Sequence, residues 1–101
     1  MRFDKQIELI ANALVEDGQG GRTEQQKVVR VVYANIEELS VTETFKIYGE
    51  ATTDSIKVRI LGRIEDEFDN IRYGEKLYKV ISKRYVKNKT AFLLELIEDG
   101  N

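Results

Sequence analysis

Ile56, Lys57, Val58, Arg59 and Ile60 alternate apolar and charged residues without a break. Successive side chains of a β-strand point to opposite faces, so this spelling sets three branched apolar residues on one face and two cations on the other. A helix would scatter the same residues around its circumference. The chain therefore builds a sheet with one buried and one wet face. It contains no proline, the residue that commonly guards sheet edges. Its edges must be protected by charge, by closure or by neighbouring subunits.

The same reading extends along the chain. Residues 3–10 place Ile7 and Leu9 on one face and form a first strand, which residues 12–15 can continue. Glu16, Asp17, Gly18, Gln19, Gly20 and Gly21 spell a flexible turn. Residues 25–36 form the second strand region. Its β-branched run (Val28, Val29, Val31, Val32) with Tyr33 and Ile36 is too dense for a one-sided strand. It predicts a central strand buried on both faces for part of its length, or one bent by a bulge.

Ser40, Val41, Thr42 and Glu43 fit a capping box, and Val41, Phe45 and Tyr48 share one helical face, so a short helix is expected over 41–48. Gly49 stands where it ends. Ile56 to Leu61 is the third strand, and residues 62–70 are an acidic loop. Ile71, Arg72, Tyr73 and Gly74 form a turn that delivers the chain into a fourth strand over 77–82. Residues 85–90 are a basic turn, and 91–98 a fifth strand. Five to six strands with one short α-helix predict a mainly β fold, a small antiparallel barrel or sandwich.

With 101 residues, no linker and no internal repeat, one domain over 1–101 is expected. No apolar run approaches the roughly 20 residues that span a bilayer, and the first residues are too polar for a signal peptide. The cytoplasm is the natural compartment. The sequence has no histidine and no cysteine. That removes Ser-His-Asp and Cys-His catalysis, thiolate zinc sites and histidine acid–base chemistry together. Glu65, Asp66, Glu67 and Asp69 lack the ligand spacing of a calcium loop and are most simply a solvated loop. Gly18, Gly20 and Gly21 open into strand-forming residues instead of a helix, so they suit a hairpin turn better than a phosphate cradle. No enzymatic activity, metal or cofactor is expected.

Lys83, Arg84, Lys87 and Lys89 gather around Tyr85. Cations interleaved with aromatics can bind single-stranded nucleic acid, but a charged turn is the simpler reading. The formal net charge of −2 also lacks the basic excess that phosphate binding uses. A third reading is complementarity, with the acidic loop of one copy facing the basic turn of the next in a head-to-tail ring. The connection over 40–55 is longer than two neighbouring strands need. Thr42, Thr44, Thr52, Thr53 and Ser55 make it uncharged and polar, a lining for a passage or a docking face.

The order of these elements resembles the phage head–tail joining proteins, also called head-completion, stopper or head–tail adaptor proteins. The likeness covers about residues 3–98. It rests on the opening strand and Gly-rich turn, on Tyr33-Ala34-Asn35-Ile36, on the variable segment after it, on Ile56 to Ile60, and on Ile71-Arg72-Tyr73-Gly74 leading into Leu77-Tyr78-Lys79-Val80. Tyr33 stands where that family often has tryptophan. None of these is a catalytic signature.

The resemblance implies a small β-barrel with a short helix. It implies a ring of copies beneath the portal that closes the DNA-filled head, offers the tail a docking surface and lets double-stranded DNA pass. Portal or adaptor ring and tail proteins would be its partners. It would lie in the host cytoplasm during assembly and then at the virion head–tail interface. The channel or partner contact would fall on Thr42, Thr44, Lys46, Glu50, Thr52 and Thr53. Two alternatives stay open: a single-stranded nucleic-acid-binding barrel using Tyr73, Tyr78, Arg84 and Tyr85, and a phage tail-completion protein. Active phage and resident prophage are equally compatible.

Overall fold

In the computed structural model, residues 2–16, 18, 20–39 and 55–99 are described; for 15, 16, 22, 23 and 99 this covers the backbone only. Six strands are present among the described residues: β1 (Lys5–Glu16), β2 (Arg22–Glu38), β3 (Ser55–Leu61), β4 (Asn70–Tyr73), β5 (Lys76–Val86) and β6 (Lys89–Asp99). All pair antiparallel in a single sheet, in the order β1-β2-β3-β6-β5-β4. The ladder closes on itself, because β4 pairs with β5 and also with β1, through Glu8–Arg72, Leu9–Ile71 and Ile10–Asn70.

The alternation at Ile56, Val58 and Ile60 has the register expected from the sequence. These residues are 5%, 0% and 3% exposed, while Lys57 and Arg59 remain partly exposed on the other face. The interior is completed by Ile7, Leu9, Val32, Ala34, Ile64, Ile71, Tyr78, Phe92 and Leu94. Closure explains how a chain without proline can do without edge guards in its middle third. A strand with a partner on each side has no free backbone groups there.

Closure covers only part of the strands. Beyond Ile10, β1 pairs with β2 alone, and beyond Lys79, β5 pairs with β6 alone. The β1–β2 hairpin therefore extends from the closed part as a two-stranded ribbon, whereas the outer half of β5 is the edge of a three-stranded sheet, because β6 pairs with β3 from Lys89 to Glu95. The molecule measures 49 × 30 × 23 Å with a radius of gyration of 15.0 Å. About 13 Å is usual for a compact chain of this length.

Several sequence expectations need correction. β2 is not buried on both faces: Val28, Val29, Val31 and Tyr33 are exposed. The dense β-branched run instead reflects a bulge. Leu9 faces Arg30 and Ile10 faces Val28, which leaves Val29 as the extra residue. The 71–74 segment is not only a turn, since Asn70–Tyr73 is a strand in its own right. The basic turn over 85–90 shrinks to Lys87 and Asn88, because Tyr85 and Val86 belong to β5 and Lys89 and Thr90 to β6. The helix expected over 41–48 lies outside the described residues, and no helix occurs among those described.

Candidate interaction surfaces

The acidic loop is built as a strap across one end of the sheet. It leaves β3 at Gly62, whose φ of 89° suits glycine. The Gly62 N–H donates to the Asn88 carbonyl at 2.6 Å, so the strap starts against the β5–β6 turn. Ile64 then enters the core at 1% exposure, and Phe68 meets Phe92 edge-on at 5.6 Å between ring centroids. Thr90, fully buried, accepts from the Ile64 N–H at 3.0 Å and donates to the Gly62 carbonyl at 2.7 Å. The Tyr85 hydroxyl donates to the Ile64 carbonyl at 3.0 Å.

At its far end the strap is tied to β1. The Asp69 N–H donates to the Ile10 carbonyl at 2.8 Å, and the Asp69 carboxylate accepts from the Asn12 N–H at 2.7 Å. Asn70, itself buried, accepts from Asn12 Nδ2 at 3.0 Å and donates to the Tyr78 carbonyl at 3.3 Å.

This anchoring separates the four loop carboxylates by role. Asp66 pairs with Arg30 at 3.0 Å, and Asp69 holds β1, so both serve their own chain. Glu65 lies 3.5 Å from Arg63 but is largely exposed, and Glu67 is exposed with no ion pair among the described residues. No group of histidine, cysteine or carboxylate side chains suited to a metal ion occurs among the described residues.

The basic cluster divides along the pleat. Lys83 pairs with Phe92 and Tyr85 with Thr90, which puts Lys83 and Tyr85 on the core side of β5, at its outer end. Arg84 pairs with Ala91 and Val86 with Lys89, on the opposite, outer side. Lys87 sits at the tip with φ 56°. Above the Tyr85 ring lie Arg63 at 3.9 Å and Lys83 at 4.9 Å from the centroid, a cation–π group. Sequence reading left Arg63 out of the cluster, and it set Lys57 and Arg59 on the wet face without joining them to Arg84 and Lys89. The signal for Lys57 and Arg59 was present in the alternation itself, but the β3–β6–β5 pairing that sets them beside Arg84 and Lys89 joins residues far apart in sequence.

The tyrosines of the nucleic-acid alternative do not come together. Tyr78 is 3% exposed, Tyr73 packs against the core near the start of β5, and Tyr85 stands near its end with its hydroxyl engaged. A stacking platform needs exposed rings in a row.

The connection carrying Thr42, Thr44, Lys46, Glu50, Thr52 and Thr53 lies outside the described residues. Ser55, expected in its polar lining, is instead buried as the first residue of β3. The two flanks meet, since the Leu39 N–H donates to the Ser55 carbonyl at 3.2 Å. They border a cavity of about 170 Å³, next to one of about 300 Å³ lined by Ile36, Ile56, Tyr73 and Lys76 at the sheet mouth opposite the strap.

The described residues thus form a closed sheet with charged side chains of both signs at one end. The family model described as phage head completion protein matches residues 1–99. The chain belongs to this family. Its membership gives the protein a role in phage head assembly, as a structural part of the virion. The solution structure of protein SF1141 from Shigella flexneri 2a has a similar fold, with a TM-score of 0.71 at 14% identity, covering 94% of this chain and 93% of that one. No curated protein matches this sequence. No helix among the described residues is long and apolar enough to cross a membrane.

Proposed function

We propose that this head completion protein joins the DNA-filled head to the tail and closes the portal channel, working as a ring of identical copies. The family match over residues 1–99 carries the reading. The role is mechanical and electrostatic. It involves no reaction and no cofactor, in keeping with a sequence that has no histidine or cysteine. The partners are a portal or adaptor ring on one side and tail proteins on the other, with double-stranded DNA passing through. Assembly takes place in the host cytoplasm, whether the genome is that of an active phage or a resident prophage. The connection with Thr42, Thr44, Lys46, Glu50, Thr52 and Thr53 supplies the contact to channel or partner.

Within the ring, Glu65 and Glu67 of one strap face Lys83 and Lys87 of the next copy. The strap begins at the β5–β6 turn, so both patches belong to one end of the chain. Copies packed side by side with that end level bring unlike patches together, as a heterologous cyclic interface requires. Deletion of the gene tests the reading. The expected products are DNA-filled heads and finished tails that do not join, seen by electron microscopy and restored by the wild-type chain. Unfinished tails beside normal heads would instead indicate tail completion.

A further inference from the structure

The outer side of β3, β6 and β5 carries a trough distinct from the strap and turn. In register, Lys57 faces Leu93 and Leu93 faces Ser82; Arg59 faces Ala91 and Ala91 faces Arg84; Leu61 faces Lys89 and Lys89 faces Val86. Alternate residues share a face, so these three rows make one surface. Two hollows of about 170 and 210 Å³ lie on it, and Lys57 and Ala91 line both. They form one depression along β6. Ala91 and Leu93 make its floor, and the small side chain of Ala91 keeps that floor low.

The walls are cationic. Lys57, Arg84 and Lys89 have no ion pair among the described residues. Arg59 is drawn toward β2, 2.8 Å from Glu37 and 3.2 Å from Asn35 Oδ1. Glu95, the next carboxylate along β6, lies 3.9 Å from Lys79. Three cations without an ion pair, Lys57 on β3 with Glu37 across from it on β2, Arg84 on β5 and Lys89 at the end of β6, therefore border an apolar floor on a chain whose net charge is −2.

We propose that this trough docks an extended acidic segment of a partner protein, with apolar side chains on the floor and carboxylates on Lys57, Arg84 and Lys89. The width selects the conformation. The walls on β3 and β5 stand two strand spacings apart, about 10 Å, which admits one extended chain. A helix with its side chains is about 10–12 Å across and would ride above the floor. The apolar floor selects a peptide over DNA, whose backbone has nothing to bury there. The inference rests on the assembly role, which requires partner proteins. Its test uses no virion, so failure here would leave that role standing.

The probe is a fluorescein-labelled peptide of about eight residues alternating Glu and Val, followed by anisotropy with the full chain. A Lys–Val peptide and a short DNA duplex serve as comparisons. Saturable binding of the acidic peptide is expected. Arg84→Glu and Lys57→Glu should each weaken it about tenfold or more, since both reverse a wall charge. Lys27→Glu, an exposed cation on the β1–β2 ribbon and outside the trough, should leave it unchanged. Ala91→Leu should abolish it by filling the trough, with circular dichroism confirming the fold. Absence of saturable binding, equal weakening by Lys27→Glu, or tighter binding of the duplex would overturn the proposal. Self-association lost in Arg84→Glu would assign the trough to a second copy and overturn it as well.

Discussion

The Thr90 hydroxyl, with no exposed surface, accepts the Ile64 backbone N–H at 3.0 Å. Its own proton goes to the Gly62 carbonyl at 2.7 Å. One side chain thus satisfies both backbone groups at the point where the strap turns inward. Thr90→Val keeps the shape and leaves those groups without their partner. Such a loss costs about 1–3 kcal/mol. Chemical denaturation should show that decrease in Thr90→Val, with Thr90→Ser closer to wild type. A wild-type midpoint for Thr90→Val would mean that water replaces the hydroxyl.

Val58 is fully buried at the centre of β3, between β2 and β6. Val58→Ala removes apolar contact and leaves space that a closed sheet cannot easily collapse into. A destabilisation of about 1–3 kcal/mol is expected in urea titration. Lys57→Ala, on the other face of the same strand, should change stability by less than about 0.5 kcal/mol.

How much of this was legible in sequence depends on where the constraint lies. The Ile56, Val58, Ile60 register could be read because one face is buried, and a one-residue slip would expose all three. The β2 run was ambiguous for a local reason. Val29 is a bulge residue, Val28 lies where β2 has only β1 as a partner, and Val31 and Tyr33 take the outer face while Val32 and Ala34 take the core. The length of β5 and β6 was hidden because Lys87 and Asn88 carry no glycine to announce a tight turn. The basic cluster looked continuous in one dimension, yet the pleat divides Lys83 and Tyr85 from Arg84. The companions of Arg84 come from β3, through a pairing between non-consecutive strands. The short helix and the polar connection remain sequence readings, since residues 40–54 lie outside those described.

Lys87 holds φ 56° in the β5–β6 turn, a conformation that side chains with a Cβ rarely adopt. Lys87→Gly relieves that strain and should raise stability by about 1 kcal/mol. Calorimetry would register a higher melting temperature. The substitution also removes a tip cation, so stability and assembly are expected to move in opposite directions. A stabilised Lys87→Gly chain that joins heads to tails normally would remove Lys87 from the proposed ring contact.

Charge reversal at the same end tests the assembly reading most directly. Lys87→Glu places a third carboxylate beside Glu65 and Glu67 of the facing copy, where like charges repel. Because Lys87 is exposed and has no ion pair among the described residues, the isolated domain should keep its circular dichroism spectrum and its midpoint. Particles made with Lys87→Glu should then yield filled heads and free tails, or heads that leak DNA. A compensating Glu67→Lys in the same chain restores opposite signs across each interface and should recover joined particles in part. Lys46→Glu in the polar connection probes the other contact, and Glu67→Lys should not rescue it. Rescue of both by one change would mean that net charge, and not a specific interface, governs joining. Normal infectious particles from a strain lacking the protein would end the head–tail reading altogether.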